Sequence, residues 1–114
     1  MRILNEQDIN YRHGDHGPKY FLQGPRCNFG VCRLRPGDVA EEHYHSHMEE
    51  DFYMLEGESD FIIDGERHTC STGDFIHMEP GERHRVENNS GAPSLYIVHT
   101  TPYIEGGDKT VTEK

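Results

Sequence analysis

No long stretch of this sequence repeats its apolar residues at the 3.6-residue period of a helix. They fall instead in short runs interrupted by glycine and proline, of which there are 12 and 6. That pattern restricts the chain to short strands joined by turns, an all-β fold. The 114 residues are expected to form a single domain with a modest core. Strands are predicted over 19–22 and 29–35, separated by the breaker Gly24-Pro25. Arg35-Pro36-Gly37-Asp38 reads as a turn, with proline and glycine supplying the backbone angles. A strand over 39–45, a reversal at 46–49 and a return strand over 50–56 follow. Asp64-Gly65, between Phe61-Ile62-Ile63 and Glu66-Arg67-His68, suits a two-residue hairpin of type I′. Segments 74–78, 84–88 and 94–101 complete the sheet. From Tyr103 onward the tail is polar, with two adjacent glycines, and 103–114 is expected to be mobile or tied down only by a partner subunit.

Within this framework, His43-Tyr44-His45-Ser46-His47 followed by Glu49-Glu50 carries the chemistry. Residues two apart on a strand share a face, so His43 and His45 project side by side. Neutral imidazoles converging with a carboxylate make a first-row metal site, the alternative being a solvated histidine-rich strand edge. Glu50, Phe52 and Met54 share one face of the return strand. If Glu50 points inward, Phe52 and Met54 line the interior as pocket residues or as plain core.

The net charge of −10 works against nucleic acid and anionic membrane as partners, both of which need basic patches. No apolar run approaches the roughly 20 residues of a membrane-spanning helix. The start, Met1-Arg2-Ile3-Leu4-Asn5-Glu6, lacks the apolar core of a signal peptide, and a cytoplasmic location is expected. Cys27, Cys32 and Cys70 are odd in number and lack paired spacing, so reduced thiols are expected, with Cys32 and Cys70 buried on strands or a thiol lining the pocket. His13 and His16 lie in a glycine-rich loop, either solvated or covering a barrel mouth. Arg33 and Arg35 are expected on a solvated outer face, because two inward arginines would carry a heavy desolvation cost.

Two spaced blocks resemble the paired motifs of the cupin superfamily. The first, G-x5-H-x-H-x4-E-x6-G, is filled at every fixed position by Gly37, His43, His45, Glu50 and Gly57 (residues 37–57). The second, G-x5-P-x-G-x2-H-x3-N, is met by Gly73, Gly81, His84 and Asn88 (residues 73–88), while Glu79 holds the proline slot and Pro80 comes one residue later. The resemblance implies a double-stranded β-helix, or jelly-roll, barrel. It also implies His43, His45, Glu50 and His84 as ligands of one divalent transition metal: iron, manganese, nickel, cobalt or zinc. Glu49 competes with Glu50, and the spacing to Gly57 favours Glu50. His47 and His77 are candidate acid/base residues, His47 by strand parity with the ligands and His77 by its place before the second motif. Three imidazoles and one carboxylate leave positions for water or substrate, as in a catalytic site. The expected function is a small metalloenzyme acting on an oxygen-rich organic substrate, with dioxygenase chemistry ahead of isomerase or lyase chemistry on a sugar or keto acid. A non-catalytic binding module is the alternative. Cupins of this size imply a homodimer.

Overall fold

A computed structural model describes residues 1–112. After a single 3₁₀ turn at Glu6–Asp8 come ten strands: β1 (Gly17–Gln23), β2 (Asn28–Leu34), β3 (Val39–His45), β4 (Glu49–Glu56), β5 (Glu58–Ile63), β6 (Glu66–Ser71), β7 (Phe75–Met78), β8 (His84–Glu87), β9 (Ser94–Thr101) and β10 (Lys109–Val111). They form two five-stranded sheets in the orders β1-β2-β9-β4-β7 and β10-β3-β8-β5-β6, and all pairings are antiparallel. This is the double-stranded β-helix that the paired motifs imply. Among the described residues no helix is long and apolar enough to cross a membrane.

Turn chemistry sets the strand ends. Asp64 and Gly65 both take positive φ, 48° and 86°, as a type I′ hairpin between β5 and β6 requires. The displaced proline of the second motif does not disturb its turn. Pro80 and Gly81 occupy the two central positions between Glu79 and Glu82, where Glu82 N–H donates to the Glu79 carbonyl at 3.2 Å. Gly81 has φ +88°, and proline followed by a positive-φ glycine suits a type II turn. Gly57 is needed for a different reason: a Cβ there would lie 2.5 Å from the Pro93 carbonyl oxygen.

Asn88, the last fixed residue of the second motif, is fully buried and stitches three segments. Its Nδ2 donates to the carbonyls of Leu34 (3.1 Å) and Ala92 (2.9 Å), and its Oδ1 accepts from Ser90 N–H (3.0 Å). Between the sheets, Phe52, Phe61 and Tyr96 pack as an aromatic trio with centroids 5.2–5.6 Å apart, surrounded by Cys32, Leu34, Met54, Cys70, Met78, Val86 and Val98. Cys32 and Cys70 are thus buried free thiols, as expected.

The tail departs from expectation. Residues 103–112 are not held only by a partner. β10 pairs with the edge strand β3, Lys109 opposite His45 and Val111 opposite His43. Thr112 N–H and its hydroxyl reach the Glu42 carbonyl and carboxylate. Exposed backbone groups on β3 supply the partners that a polar composition does not reveal. Residues 113 and 114 lie outside the described residues.

On the outer face of the second sheet, Asp60 and Glu87 stand directly opposite each other. Arg67 Nη1 bridges them (2.8 and 3.1 Å), as does Asn89 Nδ2 (2.8 and 2.9 Å), and Arg85 Nε donates to Glu87 at 2.6 Å. The bonds from Asn89 and Arg85 outweigh desolvation and, with Arg67, bring the Glu87 carboxyl down to about 2. A carboxyl depressed on folding stabilises above its unfolded value and loses that contribution as pH falls through the folded one. The melting-temperature gap between wild type and Glu87→Gln should therefore be widest near neutrality and shrink between about pH 4.5 and 2. A gap independent of pH in thermal melts would contradict the network.

Candidate metal centre

A bulge in β3 aims the first two histidines. Ala40 pairs with Val86, and regular alternation would next match Glu42 with His84. Instead His43 stands opposite His84, so β3 holds one extra residue between Ala40 and His43. The shift turns His43 and His45 into the barrel, where unbroken alternation would have sent Glu42 and Tyr44. His84 opens β8, flanked by His43 on β3 and Ile63 on β5. Gly81 N–H donates to the His45 carbonyl at 2.7 Å, tying the turn before β8 to the end of β3. Glu50 arrives from the other sheet, on β4 between Thr100 and Met78.

One ligand atom from each of His43, His45, Glu50 and His84 lies within 4.8 Å of all the others. Each imidazole has an acceptor at Nδ1: the Glu41 carbonyl for His43 (2.8 Å), the Asp108 carboxylate for His45 (2.9 Å) and the Glu82 carbonyl for His84 (3.3 Å). Such outer partners fix ring orientation and leave Nε2 with its lone pair. Glu50 Oε1 lies 2.8 Å from His84 Nε2 and 3.4 Å from His45 Nε2. Even so, the two atoms of the shorter contact, Glu50 Oε1 and His84 Nε2, are buried without any properly aligned hydrogen bond. Glu50 is 6% exposed and His84 2%, so two strongly polar atoms are buried without an aligned partner where the four ligand groups converge.

The electrostatics agree. Burial raises the Glu50 carboxyl, but the imidazoles of His45 and His84 outweigh it and bring the group down to about 2. Burial, reinforced by His84, pushes His43 down to about 4, which keeps its ring neutral and available as a ligand at pH 7. Against burial, which lowers it, Glu50 and Asp108 raise His45. Three imidazole nitrogens and one carboxylate in one cluster fit a divalent transition metal.

The four side chains open into a cavity of about 780 Å³, lined by the apolar or aromatic side chains Phe52, Val86 and Tyr96 and the polar side chains Tyr20, Asn28 and Thr100. Arg12, His13 and Lys109 also line it, so part of the loop before β1 borders the cavity, while His16 does not. Cys32 lines it as well, and burial pushes its thiol up to about 11, which favours the protonated thiol near neutrality.

The other sequence-predicted residues fall elsewhere. Met54 shares Phe52's face as predicted but is wholly buried in the core and does not line the cavity; only Phe52 does. His47 lies beyond the end of β3 with its side chain 76% exposed, because the strand ends before parity carries it inward. His77 pairs with Asp51 on the outer face of the first sheet and is 37% exposed. There its Nδ1 meets Asp51 and its Nε2 lies 3.2 Å from Glu79. Glu49 turns to that outer face too, within 4.8 Å of His77 and Glu79. Arg33 donates to the Asp15 carbonyl and Arg35 pairs with Asp38, both away from the cavity. Sequence reading missed Arg12, Lys109 and Asp108, since no motif marks residues delivered by a loop and a tail.

Residues 30–100 match the family described as "Cupin domain". The tetracenomycin polyketide synthase protein TcmJ of Streptomyces glaucescens is 29% identical over 73 residues, 64% of this chain and 49% of that protein. Gentisate 1,2 dioxygenase 1 of Aquipseudomonas alcaligenes is 34% identical over 68 residues, 60% of this chain and 20% of that protein. The chain thus spans about half the length of the first of these relatives and a fifth of the second. A solved structure from Klebsiella pneumoniae, an uncharacterized conserved protein with a double-stranded beta-helix domain, superposes with a TM-score of 0.83 at 20% identity, covering 100% of this chain and 99% of that one.

A metal bound by the folded form alone should raise the melting temperature. Zn²⁺ or Mn²⁺ at 100 times its dissociation constant is expected to add about 2.7 kcal/mol, a shift of several degrees, and His84→Ala should abolish it. Wild type and variant responding alike in thermal melts would place the metal elsewhere.

Proposed function

This chain belongs to the cupin family, and from that premise we propose that it is a metal-dependent enzyme acting on a small, oxygen-rich organic anion, with dioxygenase chemistry as the leading reading. The observation that carries the proposal is the three-histidine, one-glutamate cluster facing a roomy cavity: four protein ligands leave coordination positions open toward it. His43, His45, Glu50 and His84 would hold the metal. Bound there, a redox-active divalent ion supplies Lewis-acid polarisation of a chelating substrate and a means of activating dioxygen.

The surrounding residues give the substrate its character. Arg12 and Lys109 place two cationic side chains on a cavity in a chain of net charge −10. Such local fields govern which ligand enters, whatever the overall charge. Burial, with Glu50 nearby, pushes the Tyr20 hydroxyl up to about 12, so it stays protonated and able to donate to a substrate oxygen. Phe52 offers an apolar surface beside the ligands, its ring centroid 5.8 Å from that of His84. A planar, hydroxylated carboxylate matches a cavity lined by apolar, hydrogen-bonding and cationic side chains together. Likeness to gentisate 1,2 dioxygenase supports the same class, as does likeness to quercetin 2,3-dioxygenase of Bacillus subtilis, 38% identical over 54 residues.

A second reading follows from the polar lining residues. Tyr20, Asn28 and Thr100 are also suited to holding the hydroxyls of a sugar or keto acid for isomerase or lyase chemistry. Oxygen consumption separates the two. Protein loaded anaerobically with Fe²⁺ should consume oxygen with dihydroxybenzoates or related enols, and Arg12→Ala should raise KM for the carboxylated members more than for neutral ones. Turnover of sugar or keto acids without oxygen uptake would overturn the dioxygenase reading.

A further inference from the structure

Asp108 lies in the tail segment for which the sequence offers no role, yet its carboxylate is only 9% exposed. Its Oδ1 accepts from His45 Nδ1 at 2.9 Å. Its Oδ2 accepts from two backbone N–H groups at the end of the histidine strand, His47 at 2.7 Å and Met48 at 3.0 Å, and the His47 ring lies 4.0 Å from it. His43 and His84 are oriented by carbonyls two residues away in sequence, whereas His45 is oriented by a side chain 63 residues away. The strap carrying Asp108 is anchored on both sides: Tyr103 N–H bonds the Arg26 carbonyl at 2.8 Å, and Lys109 pairs with His45. Ile104, Gly106, Gly107 and Lys109 line the metal cavity.

We propose that Asp108 is a positioning residue that holds the His45 imidazole as its Nδ1–H tautomer and so presents the Nε2 lone pair to the metal. The proposal rests on the metal-site reading above and extends it to the 104–109 strap. A carboxylate has two acceptor oxygens, one for the imidazole and one for the paired backbone donors. Asparagine has only one. In Asp108→Asn the two backbone N–H groups hold that oxygen, and the amide NH₂ faces His45 Nδ1. The ring can then accept only by moving its proton to Nε2, the atom that the metal needs. Alanine leaves Nδ1 with no directed partner and the tautomers free to exchange. The isosteric variant should therefore be at least as damaging as the truncated one.

The test is Zn²⁺ affinity, by competition with a chelating dye, for wild type, Asp108→Asn and Asp108→Ala. Loss of an outer partner of a ligating histidine costs about 10- to 100-fold in metal affinity, and Asp108→Asn is expected to lose as much as Asp108→Ala or more. A residue that merely tethers the strap predicts the reverse order, because asparagine keeps an oxygen for His47 and Met48. Asp108→Asn within about twofold of wild type, or clearly tighter than Asp108→Ala, overturns the proposal. Should the variants fail to fold, nitrogen-15 NMR of the zinc-loaded wild type decides: His45 must carry its proton on Nδ1, and a proton on Nε2 refutes the assignment. A wild type that binds no Zn²⁺ removes the metal reading and this proposal together. Normal wild-type binding with an unaffected Asp108→Asn removes this proposal alone.

Discussion

The structure turns on the contact between Glu50 Oε1 and His84 Nε2, 2.8 Å apart, buried, and without an aligned hydrogen bond. Buried polar atoms without a hydrogen-bond partner cost on the order of 1–3 kcal/mol each, more where charge is involved. Such a cost persists where something outside the protein chain offsets it. A divalent cation would do so here, since it takes an imidazole lone pair and a carboxylate oxygen at once. It would also draw the sheets together, because Glu50 belongs to one sheet and all three histidines to the other. Ligand binding and sheet packing are thus one interaction seen from two sides.

Several local features make sense in that light. The β3 bulge reverses the parity of the strand ahead of His43. The Gly81–His45 bond sets the approach of β8, and each of the three rings has an acceptor at Nδ1. None of these features stabilises the fold by much individually, and each exacts some local irregularity. Together they preorganise a first shell of ligands on rigid strands, where geometry is held better than on loops. The mouth is built differently. Arg12 comes from the loop before β1, and Lys109 from the three-residue edge strand that pairs with β3 opposite His45.

Much of this was legible in the residues themselves. Asp64-Gly65 and Arg35-Pro36-Gly37-Asp38 marked turns because few other residues adopt those backbone angles. The motif spacings placed His43, His45, Glu50 and His84, which the fold brings together. What stayed hidden depended on non-local pairing. His77 could not be assigned a face without knowing that it stands opposite Asp51. Period-two alternation seemed to put His43 and His45 inward unaided, yet it is an unmarked bulge that achieves this. Met54 obeyed its parity, but the barrel is filled at that level, so facing inward meant core and not cavity. The tail looked unstructured by composition because its partners, the β3 edge and His45, lie more than 60 residues away.

The most direct test of the central claim is the anomalous scattering of a crystal of the metal-loaded protein, collected at the absorption edge of the bound ion. The account predicts one dominant peak inside the barrel, at roughly 2.0–2.2 Å from a nitrogen of His43, His45 and His84 and from a Glu50 oxygen. A peak only at the outer-face group of Glu49, His77 and Glu79, or none within the barrel at full metal loading, would contradict it.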